Sequence, residues 1–152
     1  MRGSLLLLLF WVFSCKNNTD ELLLKHTIES IYAKQDPFHN TALDTTVYTI
    51  ALDGLIKSSK TVEKMDRERI LQSDYPTDKP KLIEGEVFAG LYEGYTSYTI
   101  EKIAFNESKA TVLIAFANSN YKTQWKDTLL FTQENGWKLD DVHYGKGGGL
   151  CA

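Results

Sequence analysis

The segment that decides the fold is residues 95–144, YTSYTIEKIAFNESKATVLIAFANSNYKTQWKDTLLFTQENGWKLDDVHY. It contains four runs rich in β-branched and aromatic residues, a composition typical of strands, and short polar turns separate the runs. The dipeptide Asn135-Gly136 between the last two runs is a strong hairpin signal. Consecutive strands joined by short turns predict an antiparallel meander. The four predicted strands span residues 95–105, 110–117, 125–132 and 137–144.

The second of these runs, ATVLIAFA at residues 110–117, is apolar on both faces, which predicts a central strand. Ahead of the strands, the sequence has helical periodicity in three stretches. We expect helices over residues 20–35, 43–58 and 59–72, the last heavily charged and therefore a solvated surface helix. Residues 73–94 contain proline and glycine breaks that predict a long loop. Helices followed by a meander predict an α+β fold, with the N-terminal helices packed on one face of an antiparallel sheet of four or more strands.

Composition narrows the class of protein. The 152 residues correspond to about one domain. A hydrophobic fraction of 43% and a charged fraction of 24% are ordinary for a globular protein and exclude wholesale disorder and a multi-span membrane protein. The formal net charge of −3 provides no positive excess, so we expect no nucleic-acid partner. Two cysteines do not make a disulfide scaffold.

The N-terminus has the pattern of an export signal. Arg2 supplies a positive charge, and residues 5–13 form an unbroken apolar run of nine residues. The small residue Ser14 follows, and then a polar stretch begins at Lys16. A helix that spans a bilayer needs about 20 apolar residues, so this run is too short to remain as an anchor. We therefore predict that residues 1–14 are a signal peptide.

The tetrapeptide Val12-Phe13-Ser14-Cys15 resembles the bacterial lipobox. The resemblance implies a diacylglyceryl thioether on Cys15, cleavage before it and a third acyl chain on its amine; the alternative is a free cysteine beside an ordinary cleavage site. Two or more acyl chains anchor a protein stably in a membrane. Residues 15–19 would then be a lipidated tether, with the membrane as a partner. The expected location is the cell envelope, at the periplasmic or outer-membrane face of a Gram-negative bacterium.

A second resemblance lies in the last predicted hairpin. A long apolar strand at residues 125–131, the Asn-Gly turn and the Trp-Lys-Leu-Asp-Asp-Val pattern at residues 137–142 look like the end of a nuclear transport factor 2-like domain. They are similar to lipid-anchored bacterial versions of unknown function. The resemblance implies a curved antiparallel sheet wrapped around an N-terminal helix as a cone, over residues 20–144, followed by a Gly-rich tail at 145–152. That superfamily includes enzymes, binding modules and inhibitors, so the fold alone carries no function.

The last predicted strand contains one candidate for chemistry. Period-two alternation puts Trp137, Leu139, Asp141 and His143 on one face. In enzymes of the resembled superfamily, carboxylates and histidines in the cone act as acids and bases, so Asp141 with His143 could serve in that role. The alternative is that the strand ends in solvent, since apolar Val142 permits a bulge that changes the phase.

Aromatic residues supply the other candidate site. Such side chains can line a ligand pocket or a protein interface, although they are also simply common in strands. The sequence has no zinc-ligand spacing, no activated-serine turn and no phosphate-binding loop, so we assign no catalytic residue, metal or cofactor. The candidate ligand-binding residues are Tyr32, Tyr98, Trp125, Asp141 and His143.

Three functions follow from these patterns. The preferred one is a non-catalytic lipoprotein domain that binds a small ligand or a protein partner in the cell envelope. The second is an inhibitor or immunity-like protein that blocks an envelope enzyme through acidic loop residues. The third is a small hydrolase or isomerase that uses Asp141 and His143. The acidic residues of the second hypothesis are Asp74, Asp78, Glu84 and Glu86.

Overall fold

The computed structural model describes residues 11–33 and 45–145. Helix α1 and helix α2 precede four strands, which form an antiparallel sheet in the order β1-β2-β3-β4. The predicted α+β class and the antiparallel meander are therefore confirmed. The elements are α1 (Trp11–Tyr32), a 3₁₀ turn (Thr45–Val47), α2 (Ile50–Leu71), β1 (Ser97–Asn106), β2 (Lys109–Asn118), β3 (Thr123–Gln133) and β4 (Trp137–His143).

Several predictions concern residues outside the described ranges. These are most of the signal peptide, the predicted end of the first helix beyond residue 33, the start of the second and the tail after Gly145. The first helix begins earlier than predicted, at Trp11, so residues 15–19 are helical. Among the described residues, no helix is both long and apolar enough to cross a bilayer.

The strand β2 is central, as predicted, with β1 and β3 paired on its two sides. Only one of its faces is covered, however. Val112, Ile114 and Phe116 are fully buried, whereas Leu113 and Ala115 on the other face are half-buried. The helices lie on the first face, so the apolar residues of the second form part of an open sheet surface.

The helical prediction holds over most of residues 43–58 and 59–72, but the predicted division into two helices is wrong. The structure has one helix, α2, with Thr49 as its N-cap: the Thr49 hydroxyl accepts the Leu52 N–H at 3.3 Å. The start is set by a tertiary contact, because Tyr48 bridges to Leu139 of β4 and the Thr49 N–H donates to the Leu139 carbonyl at 2.9 Å. No proline lies within residues 50–71, so the helix continues through the predicted junction.

The core lies between α1, the first half of α2 and one face of the sheet. Helix α1 buries one stripe, Leu24, Ile28 and Ile31, as its periodicity predicts. Helix α2 adds Leu52 and Ile56. The strands complete the core with alternate side chains, among them Val112, Ile114, Phe116, Leu129, Phe131, Leu139 and Val142.

The charged second half of α2 is more than a solvated surface. The Glu63 carboxylate accepts the Ile83 N–H at 2.5 Å, and the Asp66 carboxylate accepts the Lys81 N–H at 2.7 Å. The long loop predicted between α2 and the sheet therefore lies against α2, with its backbone bonded to carboxylates one helical turn apart.

Candidate functional site

Five aromatic rings meet where α1 ends against the sheet. Tyr98, Phe116 and Trp125 are direct neighbours in the ladder across β1, β2 and β3. The Tyr32 ring, at the last residue of α1, lies 5.4 Å from the rings of both Tyr98 and Phe116, and Trp125 stacks on Phe116 at 5.5 Å. We call Tyr32, Tyr95, Tyr98, Phe116 and Trp125 the aromatic cluster. The sequence-predicted residues Tyr32, Tyr98 and Trp125 thus come together, through a phenylalanine that the sequence analysis did not single out.

Two tyrosines of the cluster are buried hydrogen-bond donors. The Tyr32 hydroxyl donates to the Phe88 carbonyl at 2.7 Å, and the Tyr95 hydroxyl donates to the Tyr32 carbonyl at 3.1 Å. Burial, reinforced by the nearby Tyr95 hydroxyl and Glu86 carboxylate, raises the pKa of Tyr32 well above its usual range. Burial likewise raises the pKa of Tyr95. Both phenols are therefore neutral donors that fasten the loop and the end of α1, rather than acids.

Next to the cluster lies a buried carboxylate, Asp127, which is only 1% exposed. Its Oδ2 accepts the Gly90 N–H at 2.7 Å and the Trp125 indole N–H at 3.0 Å, while its Oδ1 accepts the Gly145 N–H at 3.0 Å. A buried charge is costly unless donors surround it, and these three N–H groups meet that need. Asp127 was not among the residues predicted from the sequence. Its position two residues after Trp125, on the same face of the strand, was the signal that could have identified it.

The backbone closes tightly around this carboxylate. A Cβ atom on Gly90 would lie 2.9 Å from the Asp127 Oδ1, and one on Gly145 would clash with the Lys126 carbonyl oxygen. Both positions therefore require glycine for the close approach of two chain segments. The loop before β1 and the chain after β4 converge on the inward face of β3 in this way.

A half-open cavity of about 410 Å³ lies beside Asp127. Residues 123–127 of β3 form one of its sides, including the Trp125 indole, and Leu91 and Tyr144 form others. The Tyr144 hydroxyl donates to the Val87 carbonyl at 2.6 Å, which holds that wall against the loop. The volume of the cavity is in the range of ligand sites, about 300–1,000 Å³.

The open face of the sheet carries a shallow groove of about 610 Å³. Ala115 lies between Thr99 and Lys126 in the ladder, and its small side chain leaves room above it. The Lys126 ammonium reaches across to the Glu101 carboxylate at 2.7 Å. This groove therefore has an ion pair beside it, and its lining also includes Tyr98, Phe116 and Trp125 of the aromatic cluster.

Asp141 and His143 are not on the face that the alternation predicts. Phe131 pairs with Leu139, but Leu130 pairs with Asp141, so Asp140 is the extra residue of a bulge. The bulge turns Val142 into the core and puts Asp141 and His143 on the open face, where their side chains lie 3.0 Å apart (Nε2 to Oδ2). Neither residue lines the cavity beside Asp127.

The acidic residues of the loop differ in their surroundings. Glu84 pairs with Lys79 and accepts the Tyr92 hydroxyl, and these contacts lower the pKa of Glu84. Glu86 accepts the Phe88 N–H at 3.1 Å, whereas Asp74 and Asp78 are exposed. Across residues 11–33 and 45–145, no three histidine, cysteine, aspartate or glutamate side chains come together in a way that could hold a metal ion.

No protein-family model matches this chain, and neither a curated protein nor a solved structure is detectably similar to it.

Proposed function

We propose that this chain is a membrane-anchored lipoprotein whose α+β domain binds a small ligand or a protein partner in the cell envelope without catalysing a reaction. The observation that carries the binding role is the cavity of about 410 Å³ bounded by Trp125, Leu91 and Tyr144. It combines apolar walls with an exposed strand, a combination that suits capture rather than chemistry.

The surroundings of the acidic groups favour binding over catalysis. Both oxygens of Asp127 are engaged by N–H donors, so this carboxylate holds the walls of the cavity in position. Asp141 and His143, the acid–base pair of the hydrolase hypothesis, lie on the open face of the sheet. A substrate in the cavity would not reach them.

The direction of α1 supports a site that faces away from the membrane. From Cys15 to Tyr32 the helix advances 17 residues, about 25 Å at ~1.5 Å per residue. Thr27 contacts Trp137 at one end of the sheet, and Tyr32 joins the aromatic cluster at the other. A lipid on Cys15 would therefore leave the cavity about two dozen ångströms from the anchor.

We also propose that the sheet is a nuclear transport factor 2-like cone. Register shifts at Glu101 in β1 and Asp140 in β4 lie in the two outer strands, where bulges bend a sheet around what it covers. Helix α1 buries its apolar stripe against that inner face.

The anchoring part is tested by the intact mass of membrane-extracted protein beside its Cys15→Ala variant. We expect the wild type to have the mass of residues 15–152 plus acyl chains, and the variant to carry no lipid. A wild type without added acyl mass would refute the lipoprotein assignment.

The binding part is tested by a thermal-shift screen of small molecules and peptides, because a ligand of the folded state raises the melting temperature. A ligand of the cavity is expected to stabilise the wild type and the Tyr75→Ala variant, whose exposed tyrosine lies outside the cavity. The same ligand should lose its effect on Trp125→Ala. Equal shifts in all three proteins would move the site away from Trp125.

A further inference from the structure

An exposed tyrosine, Tyr92, is held in place on the loop between α2 and β1, with 63% of its surface open to solvent. Its ring lies against Gly85, where a Cβ atom would be only 2.6 Å from the Tyr92 Cδ2. The Tyr92 carbonyl accepts the Glu86 N–H at 3.2 Å, and the Tyr92 hydroxyl donates to the Glu84 carboxylate at 3.3 Å. Contacts at the backbone, the ring and the hydroxyl therefore fix the orientation of this exposed ring.

Two hollows meet at the Tyr92 ring. One has a volume of about 260 Å³ and lies toward the turn between β2 and β3, and the other, of about 380 Å³, lies toward α2. Both are lined by Tyr92 and Gly85, and we call the two hollows together the loop site. An aromatic ring that is already fixed loses little conformational freedom when a ligand covers it. Tyr92 is therefore suited to be a binding surface.

The walls of the loop site carry polar side chains that the fold leaves available. Glu93 and Asn120 line the first hollow, and Arg67 lines the second. All three are exposed, and none makes a side-chain hydrogen bond or an ion pair within the part of the chain that the structure describes. Asn118, by contrast, is 3% exposed and donates to the Gly94 carbonyl at 2.8 Å. The first hollow thus has a fixed base and free polar groups above it.

The mixture of these groups indicates the chemical class of the ligand. An apolar molecule would cover them without bonding to them. An anion would meet the Glu86 and Glu93 carboxylates in the first hollow, and a cation would meet the Arg67 guanidinium in the second. Hydroxyl groups both donate and accept hydrogen bonds, so they match a wall of carboxylate, carboxamide and guanidinium groups. The C–H groups of a sugar ring, with their small positive charge, also match the negative face of an aromatic ring.

We propose that the loop site binds a neutral oligosaccharide, with one sugar ring packed against Tyr92 and its hydroxyl groups bonded to Glu93 and Asn120. The next sugar unit lies in the second hollow, beside Arg67. This inference goes beyond the binding role of the cavity beside Asp127, because the loop site and that cavity share no lining residue.

The first test is the binding of the full-length protein to an array of immobilised neutral and anionic glycans, in a detergent that has no sugar headgroup. The neutral glycans include hexasaccharides of glucose, mannose and N-acetylglucosamine, and the anionic ones include polygalacturonate. We expect at least one neutral glycan to bind and the anionic glycans to stay unbound, because carboxylates repel them. Binding to no neutral glycan, or to anionic glycans alone, would overturn the proposal.

The second test measures the affinity of variants for the neutral hexasaccharide that binds best, by calorimetric titration. Tyr92→Ala removes the ring against which the sugar packs and should weaken binding about tenfold or more. Tyr121→Ala is the matched control, since Tyr121 is equally exposed, at 63%, and lines neither hollow. It should bind as the wild type does. Equal affinities of the two variants would show that the saccharide does not contact Tyr92, and the proposal would be wrong.

Two further variants keep the proposal testable if Tyr92→Ala fails to fold. Asn120→Ala changes the first hollow and Arg67→Ala the second, and neither change removes a side-chain bond within the described chain. Each should weaken saccharide binding severalfold, because it removes hydrogen bonds to the hydroxyl groups. Unchanged affinity in both variants would contradict the assignment of the two hollows.

The outcomes separate this inference from the proposed function. Trp125→Ala alters the cavity beside Asp127 and should leave the saccharide affinity unchanged. If Trp125→Ala abolishes saccharide binding and Tyr92→Ala does not, the loop site is overturned while the binding role of the cavity stands. If no glycan binds at all, the loop site is likewise overturned, and the thermal-shift screen still decides the role of the cavity.

Discussion

The carboxylate of Asp127 joins three parts of the chain: the loop at Gly90, the strand at Trp125 and the chain after β4 at Gly145. Charge-assisted hydrogen bonds of this kind are about twice as strong as neutral ones. Their loss would also expose unsatisfied donors in a buried site. The integrity of the candidate site therefore depends on one side chain.

Asp127→Asn tests this dependence. The amide keeps the shape of the side chain but presents N–H groups to N–H donors, and we expect a loss of about 2–4 kcal/mol in the free energy of unfolding. Urea denaturation measures it. The exposed Asp78→Asn should change stability by less than about 0.5 kcal/mol. An Asp127→Asn variant as stable as this control would contradict the structural role of the carboxylate.

Two glycines provide a matched pair of alanine variants. At Gly90 the new Cβ would lie 2.9 Å from the Asp127 carboxylate, so Gly90→Ala should destabilise by about 1–3 kcal/mol. At Gly54, within α2, nothing lies within 4 Å, and Gly54→Ala should stabilise by about 0.5–1 kcal/mol. Melting temperatures that move in the same direction for both variants would be inconsistent with the close approach at Gly90.

The buried phenol of Tyr32 predicts sensitivity to alkali. Burial raises its pKa in the folded state, so the folded protein keeps a proton that the unfolded chain loses above about pH 10. The contribution of the protonated Tyr32 phenol to the free energy of unfolding is therefore present below that pH, and it is lost as the pH rises through and beyond it. Tyr32→Phe should be less stable at neutral pH, because the bond to the Phe88 carbonyl is gone, but its stability should fall less steeply above pH 10. Urea midpoints of the wild type and of Tyr32→Phe, measured from pH 8 to 11, give the pH dependence of stability for each protein. Equal slopes would contradict the raised pKa of Tyr32.

At the scale of elements, α2 has two different halves. Its first half packs Leu52 and Ile56 into the core, and its second half binds the loop through Glu63 and Asp66. The carboxylates accept backbone N–H groups, so this contact depends little on the loop's own side chains. These bonds hold the first part of the loop along the helix, while Phe88 and Ala89 farther along the loop pack into the core.

Asp66→Asn should release this loop. The Lys81 N–H and the Arg69 side chain lower the pKa of Asp66, so the contact is complete above the usual aspartate pKa of about 3.9 and is lost as the pH falls through the lower folded value. We expect the variant to be cleaved by trypsin after Lys81 severalfold faster than the wild type at pH 7. Glu68→Gln, on the exposed face of the same helix, is the control. Equal cleavage rates would mean that the loop is held by other contacts.

At the scale of the whole molecule, the proposed anchor and the cavity lie near opposite ends of the domain. If Cys15 carries lipid, Trp125 stands about 25 Å from it along the direction of α1. The domain would present its binding site at a distance from the membrane.

This arrangement is testable by fluorescence in lipid vesicles. In the Trp137→Phe variant, Trp125 is the only tryptophan of residues 15–152. Brominated acyl chains should leave its emission nearly unchanged, because quenching requires contact or close approach. Strong quenching would show that the cavity lies against the membrane and would contradict the proposed orientation.

The sequence by itself determined the strands and their order. Period-two alternation and turn residues are local signals, and the hairpin at Asn135-Gly136 adopts the positive φ angles that its residues favour. The apolar stripe of α1 is also specified by residues that are close together in the sequence. For these elements, the residues that specify the structure are neighbours along the chain.

Only the tertiary structure decided the site. The bulge at Asp140, which turns Asp141 and His143 outward, depends on how β4 pairs with β3, and the start of α2 depends on the bridge from Tyr48 to Leu139. The Asp127 site requires Gly90 and Gly145, distant in sequence, to reach one carboxylate. Sequence periodicity reports which face a residue prefers, but it does not report which remote backbone will supply the hydrogen bonds that a buried charge needs.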